Sequence, residues 1–261
     1  MNTRWSANGR QPEARRLKLL TLLQQEGQLS VRACSAALGV SEVTIRNDLA
    51  VLEREGLVQR TWGGALPRQQ VRPEGAFLAR LQQQRAEKER IARVAAARVR
   101  DQDTIFLDAS TTAFYIAQQL KQHSNLTVIT NGMYTALELG PAPGITTIVI
   151  GGQVRGDTGS LVGTLSEELL AKLHIRVGFF SARGLTVQKG LTESTIAESQ
   201  LKELVIRHVD RVVAVLDATK LGVNSLTSFC PITAISALIT AGEDAAAKSA
   251  PFRELLELEL A

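Results

Sequence analysis

A chain of 261 residues, 44% apolar and 21% charged, has material for roughly two globular domains and is too evenly mixed to be disordered, collagen-like or a coiled coil throughout. Its two cysteines, Cys34 and Cys230, lie far apart and its three histidines show no ligand spacing, so no disulfide framework, no metal and no cofactor is implied. The net charge of +4 is uneven: residues 1–72 hold 11 Lys or Arg against 6 Asp or Glu, whereas residues 73–261 hold 19 against 20, which places the cationic excess where an anionic polymer would select it.

Met1 to Gln11 lacks the apolar stretch of a signal peptide, and no apolar run reaches the ~18 residues of a membrane span. A cytoplasmic protein without membrane association is expected. Leu19, Leu22 and Leu23, at i, i+3 and i+4, predict an amphipathic helix that stops near Gly27. Ser30 is a candidate N-cap for a second, short helix carrying Val31, Cys34 and Leu38 on one face and ended by Gly39. Ser41 caps a third helix, whose Ile45, Leu49 and Leu52 face inward and which stops at Gly56. Short helices joined by a Gly-containing turn form a helix-turn-helix candidate.

The third helix turns Val43, Asn47, Ala50 and Arg54 away from its core side, flanked by Thr44 and Arg46. This face is small or hydrogen-bonding and free of acid. Asn47 and Arg46 have donor sets that suit adenine and guanine edges, Thr44 or Val43 suits a thymine methyl, and Ser41 at the helix start suits a phosphate. A merely solvated helix face is the plainer alternative. Leu57 to Thr61 then predicts a strand, and Arg60-Thr61-Trp62-Gly63-Gly64 a tight turn carrying a cation, the layout of a wing against a DNA backbone.

The run Leu38-Gly39-Val40-Ser41-Glu42-Val43-Thr44-Ile45-Arg46-Asn47-Asp48-Leu49, followed by Leu52-Glu53-Arg54-Glu55-Gly56 and Arg60-Thr61-Trp62-Gly63-Gly64-Ala65, resembles the DNA-binding signature of the DeoR family of bacterial transcription regulators. The chain departs from that signature at Asn47, where the family usually has a second Arg, and at Trp62, where its wing usually has His, which suggests an altered operator preference.

Arg68 to Arg85 is polar, with Pro73 and Gly75, and reads as a linker or linker helix. From Thr104 onward strands alternate with helices: strands at 104–107, 126–130, 146–150, 177–181, 212–216 and 237–240, and helices at 112–122, 133–139, 165–173 and 195–209. Such alternation predicts an α/β domain with a doubly wound, mostly parallel sheet, whose ligands bind past the strand C-terminal ends. Polar residues gather there: Asp108, Ser110, Thr111 and Thr112 after the first strand; Thr130 and Asn131 after the second; Gly151, Gly152 and Arg155 after the third; Arg183 and then Glu193 after the fourth; Asp217, Thr219 and Lys220 after the fifth. Singly, these residues fit helix caps, a Gly-Gly turn or a surface lysine. Together they fit a ring that holds a phosphate and several hydroxyls.

This half is also similar to the DeoR-type sensor, in Lys88-Glu89-Arg90-Ile91-Ala92, Phe106-Leu107-Asp108-Ala109-Ser110-Thr111-Thr112, Val128-Ile129-Thr130-Asn131, Gly151-Gly152, Gly190-Leu191-Thr192-Glu193 and Leu216-Asp217-Ala218-Thr219-Lys220, with Ser110 where the family usually has Gly. The resemblance implies a sensor resembling ribose-5-phosphate isomerase, a repressor of a sugar or related catabolic operon released by a phosphorylated sugar, and a homodimer or homotetramer on double-stranded operator DNA. The expected organisation is a winged helix-turn-helix domain at 13–67, a linker at 68–87, the effector-sensing domain at 88–240 and a tail at 241–261 with a helical end. The rival is an enzyme, a sugar-phosphate isomerase using Asp108, Glu193 or Asp217 as base with Lys220 beside it. A third reading makes the second half an oligomerisation scaffold.

Overall fold

The computed structural model describes residues 12–26, 28–54, 58–67, 73–156 and 158–261, and the chain divides into two compact units, Met1–Arg72 and Pro73–Ala261. The expected helix stops at Gly27 and Gly56, Leu57, and positions 68–72 of the linker lie outside the described residues.

The first unit runs α1 (Pro12–Glu26), β1 (Leu29–Ser30), α2 (Val31–Leu38), α3 (Glu42–Arg54), β2 (Val58–Thr61) and β3 (Gly64–Pro67). Ser30 caps α2, its Oγ accepting from Ala33 N, and Gly39 ends the helix at φ 64°, a left-handed conformation that glycine adopts without steric cost. Leu19 and Leu23 of α1, Cys34 of α2, and Ile45, Leu49 and Leu52 of α3 bury into one core with Val58 and Ala65. Helical spacing in the sequence thus becomes a shared interior. β2 and β3 form the hairpin, and β1 pairs with β3 on its other side. A Cβ at Gly64 would meet Leu29 O at 1.7 Å, so only glycine permits that pairing.

The second unit begins with α4 (Pro73–Gln82) and α5 (Arg85–Ala96), so helix occupies most of the stretch expected to link the domains. There follow β4 (Thr104–Leu107), α6 (Thr111–Leu120), β5 (Leu126–Thr130), α7 (Met133–Leu139), β6 (Ile145–Val149), β7 (Gln153–Arg155), β8 (Ser160–Val162) and α8 (Glu167–Leu170). The chain continues through β9 (Val177–Phe180), β10 (Gly184–Thr186), β11 (Gly190–Glu193), α9 (Ile196–Ile206), β12 (Val212–Asp217), β13 (Thr227–Cys230), β14 (Ala237–Ala241), α10 (Ala245–Ser249) and β15 (Glu257–Leu260). Seven strands make one parallel sheet in the order β15-β14-β12-β9-β4-β5-β6. Successive residues feed opposite faces: Ile105, Leu107, Val213 and Val215 pack with α5 and α6, whereas Phe106, Ala214 and Leu216 pack on the side of α9.

Two features differ from the sequence reading. The stretch expected as a helical tail supplies β15, which pairs with β14, while Arg98 binds Glu257 and Glu259 of that strand. Glu257 and Glu259 alternate with Leu258 and Leu260, a period of two that the run of leucines disguises as helix. The expected helix 165–173 shrinks to α8, and β10, β11 and β13 form a small antiparallel sheet in segments expected as loop.

The strand order reverses direction of growth between β4 and β9: β5 and β6 are added on one side, and β12, β14 and β15 on the other. At such a switch point the connections leave toward opposite faces and open a crevice beyond the carboxyl ends of the two strands.

Candidate functional site

In the first unit, Ser41 stands at the start of α3, where its Oγ accepts from Thr44 N at 3.1 Å and lies 2.9 Å from Thr44 Oγ1. Val43 is 62% exposed and Arg46 and Asn47 are exposed, so these members of the expected outward face do point to solvent, whereas Thr44 and Ala50 are half-buried and the Arg54 side chain lies outside the described residues. Glu42 corrects the expectation of an acid-free face, because its Oε2 accepts from Arg46 Nη2 at 2.7 Å, one helical turn away. An exposed pair of this kind contributes ~0.3–0.5 kcal/mol and is readily exchanged for another anion. Beneath this face Asp48 is buried and takes a bidentate grip from Arg15 of α1, with Nε to Oδ2 at 2.5 Å and Nη2 to Oδ1 at 3.2 Å. Arg54 closes α3. On the hairpin, Arg60 is exposed, with its N–H bonded to Glu53 Oε1, and Trp62 at the turn is fully exposed.

In the second unit, a cavity of about 140 Å³ opens at the switch point. Ser110 and Thr111 past β4, Asn131 past β5, Arg183 past β9, Glu193 at the end of β11 and Lys220 past β12 line it, as do Asp217 and Thr219. Ser110 caps α6, its Oγ accepting from Ala113 N at 3.1 Å. The first-turn N–H groups of Thr111 and Thr112 have no partner within the helix ladder.

Six expected ligand residues stand off the cavity wall. Asp108 is fully buried behind it, accepting from Ser181 N at 2.8 Å and Ser110 N at 3.1 Å. Thr112 and Thr130 are wholly buried; Thr130 Oγ1 accepts from Gly132 N, and Thr112 Oγ1 has no partner among the described residues. Gly151 and Gly152 approach Leu161 and Leu165 and serve a turn, with Gly151 N bonded to Ser166 Oγ. Arg155 donates to Thr195 Oγ1 at 2.8 Å and stands 3.4 Å from Glu198 Oε1.

Sequence reasoning missed several residues that line the cavity: Arg80, Gln83 and Gln84 after and within α4, Lys88 of α5, and Glu198 and Lys202 of α9. Lys202 is the electrostatic hub. Its Nζ lies 2.9 Å from Asp108 Oδ2 and 2.7 Å from Glu193 Oε1, and donates to Ser181 O at 2.7 Å. Burial pushes its pKa down, but the two carboxylates prevail and hold the ammonium above its usual range. The Glu193 carboxyl shifts the other way: burial pushes it up, but the neighbouring Lys202 and Arg183 prevail and hold it below its usual range. Lys88 is different. Only 4% exposed, it donates to Gln83 O at 2.5 Å and to Arg80 O, and burial with the charge of Lys220 lowers its pKa to about 8. Lys220 is also lowered, by burial first and by Arg183 and Lys202 besides, although Asp217 opposes this. Five basic and three acidic side chains therefore face the cavity, and two of the basic ones are held where protonation is costly.

Among the described residues no group of three or more His, Cys, Asp or Glu could hold a metal ion, and no helix is long and apolar enough to cross a membrane.

Comparison with known proteins bears on both units. The model of the DeoR-like helix-turn-helix domain matches residues 15–71, and that of the DeoR C terminal sensor domain matches residues 83–242. The chain is similar to the HTH-type transcriptional regulator GolR of Listeria innocua, 41% identical over 229 residues that cover 88% of this chain and 90% of that one. It is 30% identical to the glycerol-3-phosphate regulon repressor of Escherichia coli over 223 residues, covering 85% and 88%. With the lactose phosphotransferase system repressor of Staphylococcus aureus it shares 31% over 231 residues, covering 87% and 91%. Among solved structures, ribose 5-phosphate isomerase from Plasmodium falciparum overlays 51% of each chain at a TM-score of 0.37 and 15% identity.

Proposed function

The chain belongs to the DeoR family of transcription regulators, and on that premise we propose that it represses a sugar or related catabolic operon and releases its operator when a phosphorylated sugar fills the cavity at the switch point. Membership decides between the regulator and the enzyme among the readings left open by the sequence: the protein is a regulator and not an isomerase. The observation that carries the effector class is the cationic surplus of the cavity. Lys88 is buried and Lys220 half-buried on the lining of the same cavity, each with lowered proton affinity, and a phosphate between them would relieve both. The first turn of α6, with Ser110 and Thr111, offers N–H groups and a positive helix end to the same anion. Arg183 adds a further cation on the cavity wall.

For the DNA, Arg46, Asn47, Thr44 and Val43 would reach base edges in the major groove, and Ser41 and Arg60 would hold phosphates, with Arg54 and Trp62 extending the contact along the backbone. Arg46 would exchange Glu42 for a guanine edge on binding. One helix reads few base pairs, so a dimer or tetramer is expected on a repeated or palindromic site in the cytoplasm.

The test is thermal unfolding and operator binding of the full chain across a panel of sugar phosphates. An effector at a hundredfold its dissociation constant should stabilise the protein by ~2.7 kcal/mol and weaken operator retention. A panel in which no member raises the melting temperature or alters operator binding would remove the proposed effector class.

A further inference from the structure

The two margins of the large sheet are built differently. At one end β15 carries Glu257 and Glu259, both tied to Arg98, with Arg211 on Glu257 as well. Charges along an edge strand keep a second strand from adding to it. At the other end β6 carries none of these guards. From Gly144 to Gln153 the chain reads Gly-Ile-Thr-Thr-Ile-Val-Ile-Gly-Gly-Gln, without a charge or a proline, and β6 runs beside β5 in unbroken register.

That register decides which backbone groups are left over. Leu126 N donates to Gly144 O, and Ile150 N donates to Thr130 O. Alternate residues of a parallel strand face its neighbour, so Thr146 and Ile148 turn their N–H and C=O groups to β5, while Ile145, Thr147 and Val149 turn theirs outward. Ile145 N is taken by Ala142 O. The N–H groups of Thr147 and Val149 have no partner among the described residues. Solvent reaches this margin, since Thr146 is exposed and Val149 is 46% exposed.

The helix layer fits the same contact. α7 packs on β5 and β6 and leaves Met133 and Leu137, one turn apart, 40% and 70% exposed. A two-fold axis beside β6 would set a second α7 two strand spacings away, about 10 Å, which is the distance at which helices pack. An uncharged strand offers nothing to a charged partner, but its own copy meets it without repulsion, whereas two β15 strands would bring glutamates together.

We propose that β6 is the seam between two copies of this chain, an antiparallel pair centred on Thr147 that continues one sheet through both. Thr147 exchanges N–H···O bonds with Thr147 of the copy, and Val149 N donates to Ile145 O across the axis. The assignment rests on the dimer or tetramer expected above and names the surface that forms it.

The experiment is sedimentation of the full chain at micromolar concentration, joined to cysteine cross-linking. The wild type should sediment as a dimer or a multiple of one. Thr147→Lys sets like charges face to face and should weaken the contact by about a hundredfold or more. Leu137→Lys, on the exposed helix face, should weaken it by about tenfold. Cys34 and Cys230 are buried, so Thr147→Cys adds the one reactive thiol among the described residues. Facing residues of such a pair lie ~5.5 Å apart between Cα atoms, within reach of a disulfide, and mild oxidation should give a covalent dimer. Leu260→Cys, on the β15 margin, should give none. Where Thr147→Lys fails to fold, Leu137→Lys and the Thr147→Cys cross-link carry the same reading. An oligomer that survives Thr147→Lys and Leu137→Lys, with no cross-link through Thr147→Cys, would overturn the seam and leave an assembly held by another surface. A wild type that sediments only as a monomer would overturn the seam and the expected oligomer together.

Discussion

On α3 and the hairpin, Val43, Arg46, Asn47 and Trp62 stand in solvent and Arg46 meets its one recorded carboxylate across an exposed turn; in the sensor unit, Lys202, Asp108 and Glu193 are nine-tenths buried and bond chiefly to one another. The same residue chemistry therefore carries different consequences. In water a charge is nearly free to leave its partner, so an exposed guanidinium is available to a groove or a phosphate. Inside the sheet unit a charge that loses its partner has no solvent to replace it, so substitutions there register as lost stability before they register as lost binding. Arg15 and Asp48 mark the boundary of that rule within the first unit, as a buried pair directly under the exposed face.

The sharpest way to break the contrast is Lys202→Met. It strands Asp108 and Glu193 in the interior, and a loss of ~3–5 kcal/mol is expected in denaturant unfolding. A loss below ~1 kcal/mol would mean that water reaches this triad and that the interior is not as dry as its burial indicates. Next in size is Arg46→Ala, expected to leave folding almost unchanged while costing ~1–3 kcal/mol of operator binding and relaxing one base position. Equal losses on operator and random DNA would remove its base-reading role.

Lys88 sharpens the comparison by pH. With its pKa near 8 in the folded protein and 10.5 as the ordinary value, the folded chain binds fewer protons than the unfolded chain between those limits, so this group makes stability rise with pH across that window. A phosphate beside the ammonium should raise its pKa again. Effector binding should then take up protons, and affinity should fall by up to about tenfold per pH unit above 8. Calorimetry in buffers of different ionisation enthalpy would measure the uptake, and Lys88→Arg should reduce it, leaving the part that Lys220 contributes; pH-independent affinity from 7 to 9.5 would place the phosphate away from Lys88. The smallest effect is expected from Arg60→Ala, which should weaken all DNA sequences alike and reduce the slope of log K against log salt by ~1.

The sequence was most legible where a period repeats. Ile45, Leu49 and Leu52 announced α3, and the apolar runs of β4, β5, β9, β12 and β14 announced a parallel sheet, because burial on a face or on both faces leaves a pattern in the letters. Polar residues just past strand ends were the other readable signal, and Ser110, Thr111, Asn131, Arg183, Glu193 and Lys220 do line the cavity. Lys88, Glu198 and Lys202 carry no such mark. Each sits inside a helix, where a charged residue ordinarily signals a wet face, and only the docking of α5 and α9 turns these positions inward. Strands of three residues such as β7, β8 and β10 are too short for periodicity to register.

At the far edge of the large sheet, β15 is hydrogen-bonded to β14, and the N–H of Ala261 donates to Thr240 O. A protease would therefore meet in Glu257–Leu260 a paired strand anchored by Arg98 and Arg211, not a loose peptide, and cleavage within it should wait until the strand frays. Deleting residues 257–261 would bare the N–H and C=O groups of β14, turning a finished margin into a template for sheet-to-sheet aggregation.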